Sequence, residues 1–323
     1  MVLKRIATTV RRPGLSLCLV ALSVLAVTTV HADEPPPPSQ LSAELGWGYE
    51  SQTAPLIRLS PQGEFISIDG LQRLHGAHAS VGLQGFTNWT FGNAWNVSIA
   101  ANALAKRSPG NPDFDFTMAS FQPAFHLPFG AANLGWGLSL QQITVAGRPF
   151  RETFGTQVDW TLPHPEGSHW AFVADLGTYK HPGELIDLDA SSSSMMLQRH
   201  WEKPHPALQS VDVAIHLARE QNANGFEELS HRSTMVSASM QWNWGETNWS
   251  AGANWRTTRF DAQVFPEDPM RADQSVGLDV SVERALTARQ TVRLEYSFVR
   301  SQSTIPMFDN QYQQVAIKLR TEW

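Results

Sequence analysis

The feature that most constrains this chain is an alternation of apolar and polar residues that recurs along nearly its whole length. Residues 211–217, 234–244 and 276–282 each carry large or apolar side chains at every second position. Successive side chains of a β-strand point to opposite faces, so this period of two indicates strands with one apolar face. Helical spacing is nearly absent. The sequence therefore predicts an all-β fold.

The number and length of the alternating runs narrow the fold further. About fourteen runs can be counted, beginning near residues 41, 74, 94, 113, 133, 150, 169, 187, 208, 231, 248, 272, 290 and 311. Many have roughly 10–14 residues, whereas strands of globular proteins usually have about 5–6. A tilted strand needs about 9–11 residues to cross a bilayer. The lengths favour a transmembrane barrel over the alternative, a secreted β-sandwich or β-helix.

Connections between the runs are of two kinds that alternate along the chain. Short, turn-rich ones lie near Asn93, Gly130, Pro165, Pro204, Gly245 and Leu286. The others are mostly longer, as in residues 53–70, 180–190, 221–231, 261–273 and 300–310. Outer-membrane barrels have short periplasmic turns and longer outer loops. We therefore predict an antiparallel up-and-down barrel of about fourteen strands with both termini in the periplasm.

The tryptophans are concentrated at the short-turn ends of the predicted strands. Of the 12 tryptophans, all but Trp47 and Trp255 fall within a few residues of a short turn or at the last position. Indole rings prefer the membrane–water interface. This placement predicts an aromatic girdle at the periplasmic rim.

The first 32 residues have the pattern of a secretory signal peptide. Basic residues between positions 4 and 12 precede the apolar run 15–30, and a small-residue cleavage site ends at Ala32. Residues 33–40 are a Pro-rich leader, and residues 41–323 form the predicted barrel. The single cysteine, Cys18, lies in the signal segment, so disulfides and cysteine metal sites are not expected in the mature chain. The predicted location is the bacterial outer membrane.

Charge and hydropathy argue against a nucleic-acid partner and against a helical membrane span. With a net charge of −6, the chain is not expected to bind nucleic acid. Mean hydropathy is −0.25, and no segment after the signal peptide has eighteen apolar residues, so no helical membrane span is predicted. The expected partners are outer-membrane lipid and the barrel-assembly machinery, and no cofactor is expected.

Polar residues of the last three runs would lie on the inner face if the apolar ones face lipid. They are Asp279, Glu283, Arg293, Glu295, Lys318, Arg320 and Glu322. One interpretation is a salt-bridge lattice that fixes strand register, and the other is a selectivity or gating patch. Pro306 and Asp309, in the loop before the last run, could fold inward as a constriction or simply start a turn.

Histidines and hydroxyls give little support for metal binding or catalysis. No histidine pair lies on an obvious common face with a carboxylate as third ligand, so a metal site is not expected. His231 and Ser233 lie beside Glu227 and Glu228, but the spacing does not support a nucleophile–base pair. We therefore expect no enzymatic activity.

The closing run alternates until the last residue of the sequence. Val315, Ile317, Leu319 and Trp323 would face lipid, and the run would close the barrel against the first strand. A terminal aromatic residue after such a run resembles the C-terminal signal of outer-membrane proteins that the barrel-assembly machinery recognises.

The last two runs and the loop between them resemble the C-terminal barrel of surface lipoprotein assembly modifiers. The matching loop residues are Arg300, Ser301, Ser303, Ile305, Pro306 and Asp309, whereas Thr304 and Phe308 replace the family's asparagine and tyrosine. The resemblance implies fourteen strands and a role in export or surface display of a protein or lipoprotein cargo. Members of that family carry a helical repeat domain before the barrel, and here only residues 33–40 separate the signal segment from the first run. A passive porin-like channel is the alternative function.

Overall fold

A computed structural model describes residues 39–59, 65–91, 95–110, 112, 115–164, 167–183, 188–264 and 266–323. It gives no account of the side chains of residues 53–74. The predicted signal peptide and most of the leader lie outside the described residues. The described chain forms one closed barrel of fourteen antiparallel strands in sequential order. The predicted fold class and strand number are confirmed.

The strand bounds agree closely with the alternating runs. The strands are β1 Ser39–Leu59, β2 Phe65–Phe91, β3 Trp95–Arg107, β4 Phe116–Phe129, β5 Ala132–Val145, β6 Arg148–Pro163, β7 His169–Lys180, β8 Ala190–His205, β9 Leu208–Asn222, β10 His231–Trp244, β11 Thr247–Phe260, β12 Ala272–Ala285, β13 Gln290–Ser303 and β14 Asn310–Glu322. Two short 3-10 turns, Glu227–Leu229 and Pro306–Phe308, lie in the loops before β10 and β14. Within the described part of the chain, no helix is long and apolar enough to cross a membrane.

The first connection differs from the predicted one. Residues 53–70 were expected to form a loop, but β1 continues to Leu59 and β2 begins at Phe65. The register shifts between Pro55 and Ile57, after which pairing resumes with Ile57 opposite Ser67. Proline has no N–H to donate to the neighbouring strand, which accounts for the break in regular pairing after Pro55. The prediction of a loop at this place was wrong.

Barrel closure depends on the pairing of the first and last strands. β1 pairs with β14 from Ser42 opposite Glu322 to Thr53 opposite Gln311. Trp323 extends the ladder, because its N–H donates to the carbonyl of Leu41 at 2.9 Å. The barrel therefore has no unpaired edge along this seam, as an alternating last strand predicts.

The outer surface carries a broad belt of exposed apolar side chains. Trp47, Tyr49, Val315 and Ile317 on β1 and β14 are about half exposed, and comparable residues recur on the other strands. Outward aromatic pairs include the stacked rings of Trp242 and Trp249, 6.1 Å apart beside the short β10–β11 turn. A continuous apolar belt of this extent needs a covering phase such as lipid.

Turn lengths at the two ends of the barrel follow the predicted alternation with one exception. The β10–β11 connection is the two-residue turn Gly245–Glu246 at the end that carries most tryptophans. At the opposite end, β5 and β6 are joined by Ala146 and Gly147, with φ of 50° and 74°. Positive φ at both central residues is the geometry of a tight type I′ hairpin turn. One connection at the long-loop end is therefore short.

Candidate functional site: the lumen of the barrel

Contacts between strands that are not neighbours identify the inner face. Lys106 of β3 places its Nζ 2.6 Å from Oε2 of Glu50 on β1, across the intervening β2. Side chains of strands two apart converge only on the concave side of a curved sheet. Glu50 and Lys106 therefore lie in the lumen. Since side chains alternate between the two faces of a strand, the strand register then shows which other residues face the lumen and which face outward.

A buried carboxylate organises the lumen next to the closing seam. Glu50 has 2% side-chain exposure and, besides the ion pair with Lys106, accepts hydrogen bonds from Tyr312 at 3.2 Å and Ser108 at 3.4 Å. His78 lies 4.0 Å away and is also buried. A buried charge is costly unless it is paired and hydrogen-bonded, and Glu50 meets both conditions. We call Glu50, Lys106, Ser108, Tyr312 and His78 the Glu50 cluster.

The structure places all seven predicted lumen residues on the inner face, most of them in contacts with one another. Lys318 lies between Glu44 at 3.2 Å and Glu295 at 2.9 Å. The remaining contacts join Arg293 to Glu295 at 3.0 Å, Arg320 to Glu322 at 2.9 Å, and the Ser297 hydroxyl to Asp279 at 2.7 Å, while Glu283 is directly opposite Arg293 in the register. Acids and bases interleave across β13, β14 and β1, which is the geometry of a register-fixing lattice.

Sequence reasoning missed the Glu50 cluster and Glu44. The signal was present, since Glu44 and Glu50 alternate with the outward residues Leu45, Trp47 and Tyr49. Their partners could not be recognised, because Lys106 is 56 residues away from Glu50 and Tyr312 is 262 residues away. Only barrel closure brings these side chains together.

A second set of carboxylates lies on the inner face of β6 to β9. Asp159 lies directly over Gly135, where an added Cβ would overlap the carboxylate. Asp175 and Asp212 accept hydrogen bonds from neutral or histidine side chains, namely Ser194 at 3.0 Å, Gln198 at 2.8 Å and His200 at 2.9 Å. Among the described residues, no lysine or arginine forms an ion pair with these three aspartates. This wall therefore carries carboxylates that no lysine or arginine of the described chain contacts as an ion pair.

Two guanidinium groups also face the lumen, Arg151 on β6 and Arg256 on β11. Arg151 lies over the Tyr179 ring at 4.9 Å. Arg256 is directly opposite Met235 and Ser275, both inward-facing positions. They offset part of the negative charge of the three aspartates and of Glu220, which also faces inward on β9, so this region of the lumen remains negative.

Accessibility to water differs between the walls of the lumen. On β7 and β8, the inward residues Ala171, Val173 and Met196 are buried, with 4%, 2% and 9% exposure. On β10, β11 and β12, five inward polar residues are exposed, whereas Ser233 and Ser281 are buried; the exposed ones are Ser239, Gln241, Asn243, Asn248 and Asp279. A side chain that points into a closed barrel and is still exposed borders water. Gln84 of β2 and Gln122 of β4 are inward and exposed as well, so water reaches the lumen along the β10–β12 wall and beside these two residues.

The size of the ring is consistent with such a path. Fourteen strands spaced by about 4.8 Å and tilted by roughly 40° give a backbone ring roughly 28 Å across. Inward side chains occupy part of that width, most densely at the packed β7–β8 wall and at the Glu50 cluster, which lie on opposite sides of the ring. The exposed inward residues mark the space that remains.

Three loops at the long-loop end are closed in the same way. In each, an aspartate at the end of the loop accepts the backbone N–H of a residue at its start, with a distance of 2.6 Å. The pairs are Ser108 with Asp115, His181 with Asp189, and Ser303 with Asp309. The first two loops begin with RSPG and KHPG, a similarity that is visible in the sequence. We call these three aspartates the loop clasps.

The loop that resembles the assembly modifiers has such a clasp. Besides the Asp309 bond, Ile305 N–H donates to the Ser303 hydroxyl at 3.2 Å, and Ile305 itself is buried at 4% exposure. Thr304 bridges to the preceding loop through the N–H of Ala272 at 3.0 Å. Arg300, by contrast, is opposite Val276 on the outer face and is exposed. Most of the matching residues thus close and anchor a turn.

The loop clasps lead to a first testable expectation. Replacing Asp189 with alanine should remove the bond to His181 N–H and the 3.2 Å ion pair with Lys180, so the loop should open. Hydrogen bonds to charged groups contribute about 1.5–3 kcal/mol, and trypsin should then cleave the folded protein after Lys180 several times faster. Asp189→Asn keeps the acceptor for His181 N–H but loses the ion pair, so its cleavage rate should lie between those of wild type and Asp189→Ala. Equal cleavage of all three proteins would contradict the clasp.

The structure places the candidate metal ligands and the His231–Ser233 pair. Among the residues that the structure describes, no group of three histidine, cysteine, aspartate or glutamate side chains could hold a metal ion. The His231 Nδ1 lies 3.3 Å from the Leu229 carbonyl oxygen, and Ser233 is buried at 7% exposure. His231 therefore contacts the backbone of the preceding loop, and Ser233 is largely shielded from solvent.

Comparisons with known proteins give neighbours in fold alone. No protein-family model matches the chain, and neither does any curated protein. Among solved structures, a loop-deletion mutant of OmpT, an outer membrane protein of Vibrio cholerae, has a TM-score of 0.48 at 9% identity, covering 89% of this chain and 100% of that one. OpdQ of Pseudomonas aeruginosa has 0.44 at 8% identity, covering 88% and 97%. OccAB3 of Acinetobacter baumannii has 0.46 at 7% identity, covering 88% and 99%. The resemblance to the assembly modifiers gains no support from these comparisons.

Proposed function

We propose that this protein is an outer-membrane barrel whose lumen is a passive, water-filled channel for small hydrophilic solutes. The observation that carries the proposal is the row of inward yet exposed polar residues on β10–β12, including Gln241, Asn243 and Asp279. The outward apolar belt supports placement in a bilayer. The orientation with the short turns and both termini in the periplasm is supported by the tryptophans at that end.

The charge of the lumen should give the channel a preference for cations over anions. Asp159, Asp175 and Asp212 are not ion-paired with lysine or arginine among the described residues, whereas Lys106 and Lys318 each contact carboxylates. Arg151 and Arg256 offset only part of the remaining negative charge. Rings and clusters of carboxylates favour cations in a pore. We expect the channel to conduct cations more readily than anions.

Planar-bilayer recording tests both statements. Purified protein should give steady open channels, and a salt gradient should give a reversal potential that favours the cation. A variant with all three aspartates changed to asparagine keeps the acceptor oxygens and should lose most of that preference. Glu152→Gln, on the exposed outward face of β6, is the matched control and should leave it unchanged. Silent bilayers containing folded protein would overturn the channel.

The export function of the assembly modifiers has no separate support in the geometry. The residues that suggested it, Ser303, Ile305 and Asp309, have contacts that account for their identity as parts of a closed loop. Cargo export is therefore not needed to explain them.

A further inference from the structure

The outer face carries a row of three arginines that the channel does not use. Arg219 of β9 is directly opposite Arg232 of β10, which is directly opposite Arg259 of β11. The alternation assigns all three to the outer face, because the neighbouring Glu220 and Thr258 continue the inward pattern. Side chains of Arg219 and Arg232 are 52% and 72% exposed. We call these residues the arginine row.

Like charges placed directly opposite each other in a sheet are destabilising, so the row needs anions. Asp261 supplies one, at 3.8 Å from Arg219 and 3.6 Å from Arg232. Among the described residues, no acid forms an ion pair with Arg259, and Glu227 and Glu228 of the loop above form none with the row. One carboxylate for three guanidinium groups leaves roughly two positive charges on the outer surface.

A groove continues the same line of paired residues. Register pairs run from Thr156 to Leu176, then to Ser193 and on to Arg219. The groove has a volume of about 380 Å³, and its outward lining combines hydroxyls with two apolar side chains, namely Thr156, Thr178, Ser191, Ser193, Phe154 and Leu176. Arg219 and Gln221 form its border toward the arginine row. Hydroxyl and guanidinium donors thus meet in one place on a surface that is otherwise apolar.

The apolar belt begins immediately beside the row. Leu217, Val236 and Trp255 are exposed, and each lies two to four residues from an arginine of the row on the same strand. Trp255 is one of the two tryptophans away from the short turns, and indole rings mark the membrane–water interface. The arginine row therefore lies just beyond the hydrocarbon, where lipid headgroups are.

We propose that the arginine row and the adjoining groove bind the phosphorylated headgroup of an anionic lipid, whose acyl chains lie along the belt below. Adjacent strands are about 5 Å apart, so the three arginines span roughly 10 Å, within reach of one or two phosphates. Guanidinium groups bind phosphate bidentately, and the groove hydroxyls donate to the remaining oxygens. This inference rests on the membrane placement in the proposed function but not on conduction.

Thermal unfolding in detergent, titrated with phosphatidic acid, tests the inference. Each surface arginine contributes about fivefold to binding of anionic lipid, so changing all three to glutamine should weaken the apparent affinity on the order of a hundredfold. Changing all three to lysine should retain most of the binding. The control is Arg107→Gln with Arg284→Gln, two exposed arginines that each have an acidic partner of their own, and it should bind like wild type.

Other probes separate the possible outcomes. Phosphatidylcholine should give no comparable shift, and inorganic phosphate should give far less than phosphatidic acid. Equal binding by the glutamine variant would overturn the inference, and so would an equal shift with inorganic phosphate, which would indicate a free-anion site. Bilayer conductance of the glutamine variant should equal that of wild type, so failure of lipid binding and failure of the channel are observed separately.

Discussion

Replacing Glu50 with alanine should lower the free energy of unfolding by about 3 kcal/mol, the largest stability effect expected for a single lumen residue. Glu50 is 2% exposed and holds Lys106, Tyr312 and Ser108 at once. Its removal leaves the ammonium of Lys106, which is only 12% exposed, without a counter-charge. Urea unfolding of the protein in lipid vesicles, followed by tryptophan fluorescence, measures the change.

Two further variants show whether the buried pair is the cause. Glu50→Ala combined with Lys106→Met removes both charges and should recover a substantial part of the lost stability. Glu246→Ala removes one partner of the exposed Arg284 pair, and such surface pairs contribute about 0–1 kcal/mol. If Glu50→Ala unfolded at the same urea concentration as wild type, the Glu50 cluster would not stabilise the barrel seam as described.

Replacing Ser239 with tryptophan should produce the largest effect on conduction. Ser239 lies at an inward and exposed position of β10, opposite Asp212 and Gly252. A tryptophan at this position would fill the space along the β10–β12 wall, where the structure leaves room for water. We expect the single-channel conductance to fall to less than about half of the wild-type value, because pore width and lining determine conduction.

The neighbouring residue provides a matched control. Ala238 is one position away, faces outward and is exposed in the apolar belt. Ala238→Trp adds the same side chain to the lipid-facing surface and should leave conductance unchanged. Equal conductance in Ser239→Trp and Ala238→Trp would mean that the path does not follow the β10–β12 wall.

Much of the fold could be predicted from the sequence because the alternation within a single barrel strand distinguishes its lipid-facing residues from its lumen-facing ones. Alternation in residues such as Val276 to Val282 identifies a strand and its lipid face without any knowledge of its partner. Sequential up-and-down pairing then follows from the short turns, as at Gly245. The first hairpin could not be predicted, because Pro55 interrupts the pattern and pairing resumes only beyond it.

The lumen was less predictable than the strands. The lattice around Lys318 and Glu295 involves strands adjacent in sequence, so its members could be proposed together. The Glu50 cluster depends on contacts across the closing seam and across β2, and no local pattern indicates those distances. The sequence also does not show which wall is packed and which borders water, because this depends on the combined volume of the inward side chains of all strands. Val173 and Met196 are inward apolar residues that interrupt the polar pattern on the packed wall.

The loop clasps were hidden for a different reason. The RSPG and KHPG segments are each followed by an aspartate just before the next strand, but this similarity lies between loops that are distant in the sequence. Comparing the loops within the chain would have shown the shared pattern. It would also have suggested that Asp309 of the assembly-modifier-like loop has the same role.

Chemical labelling of an introduced cysteine during bilayer recording tests the channel most directly. The only cysteine, Cys18, lies in the predicted signal peptide, so Asp279→Cys would be the sole thiol of the mature barrel. Asp279 faces the lumen and is exposed on the β10–β12 wall, so a charged, membrane-impermeant thiol reagent should react and reduce the current stepwise. Val173→Cys, on the packed wall, should stay unlabelled in the folded protein. An unreactive Asp279→Cys in a folded, inserted barrel, or labelling without any change in current, would contradict a water-filled path along this wall.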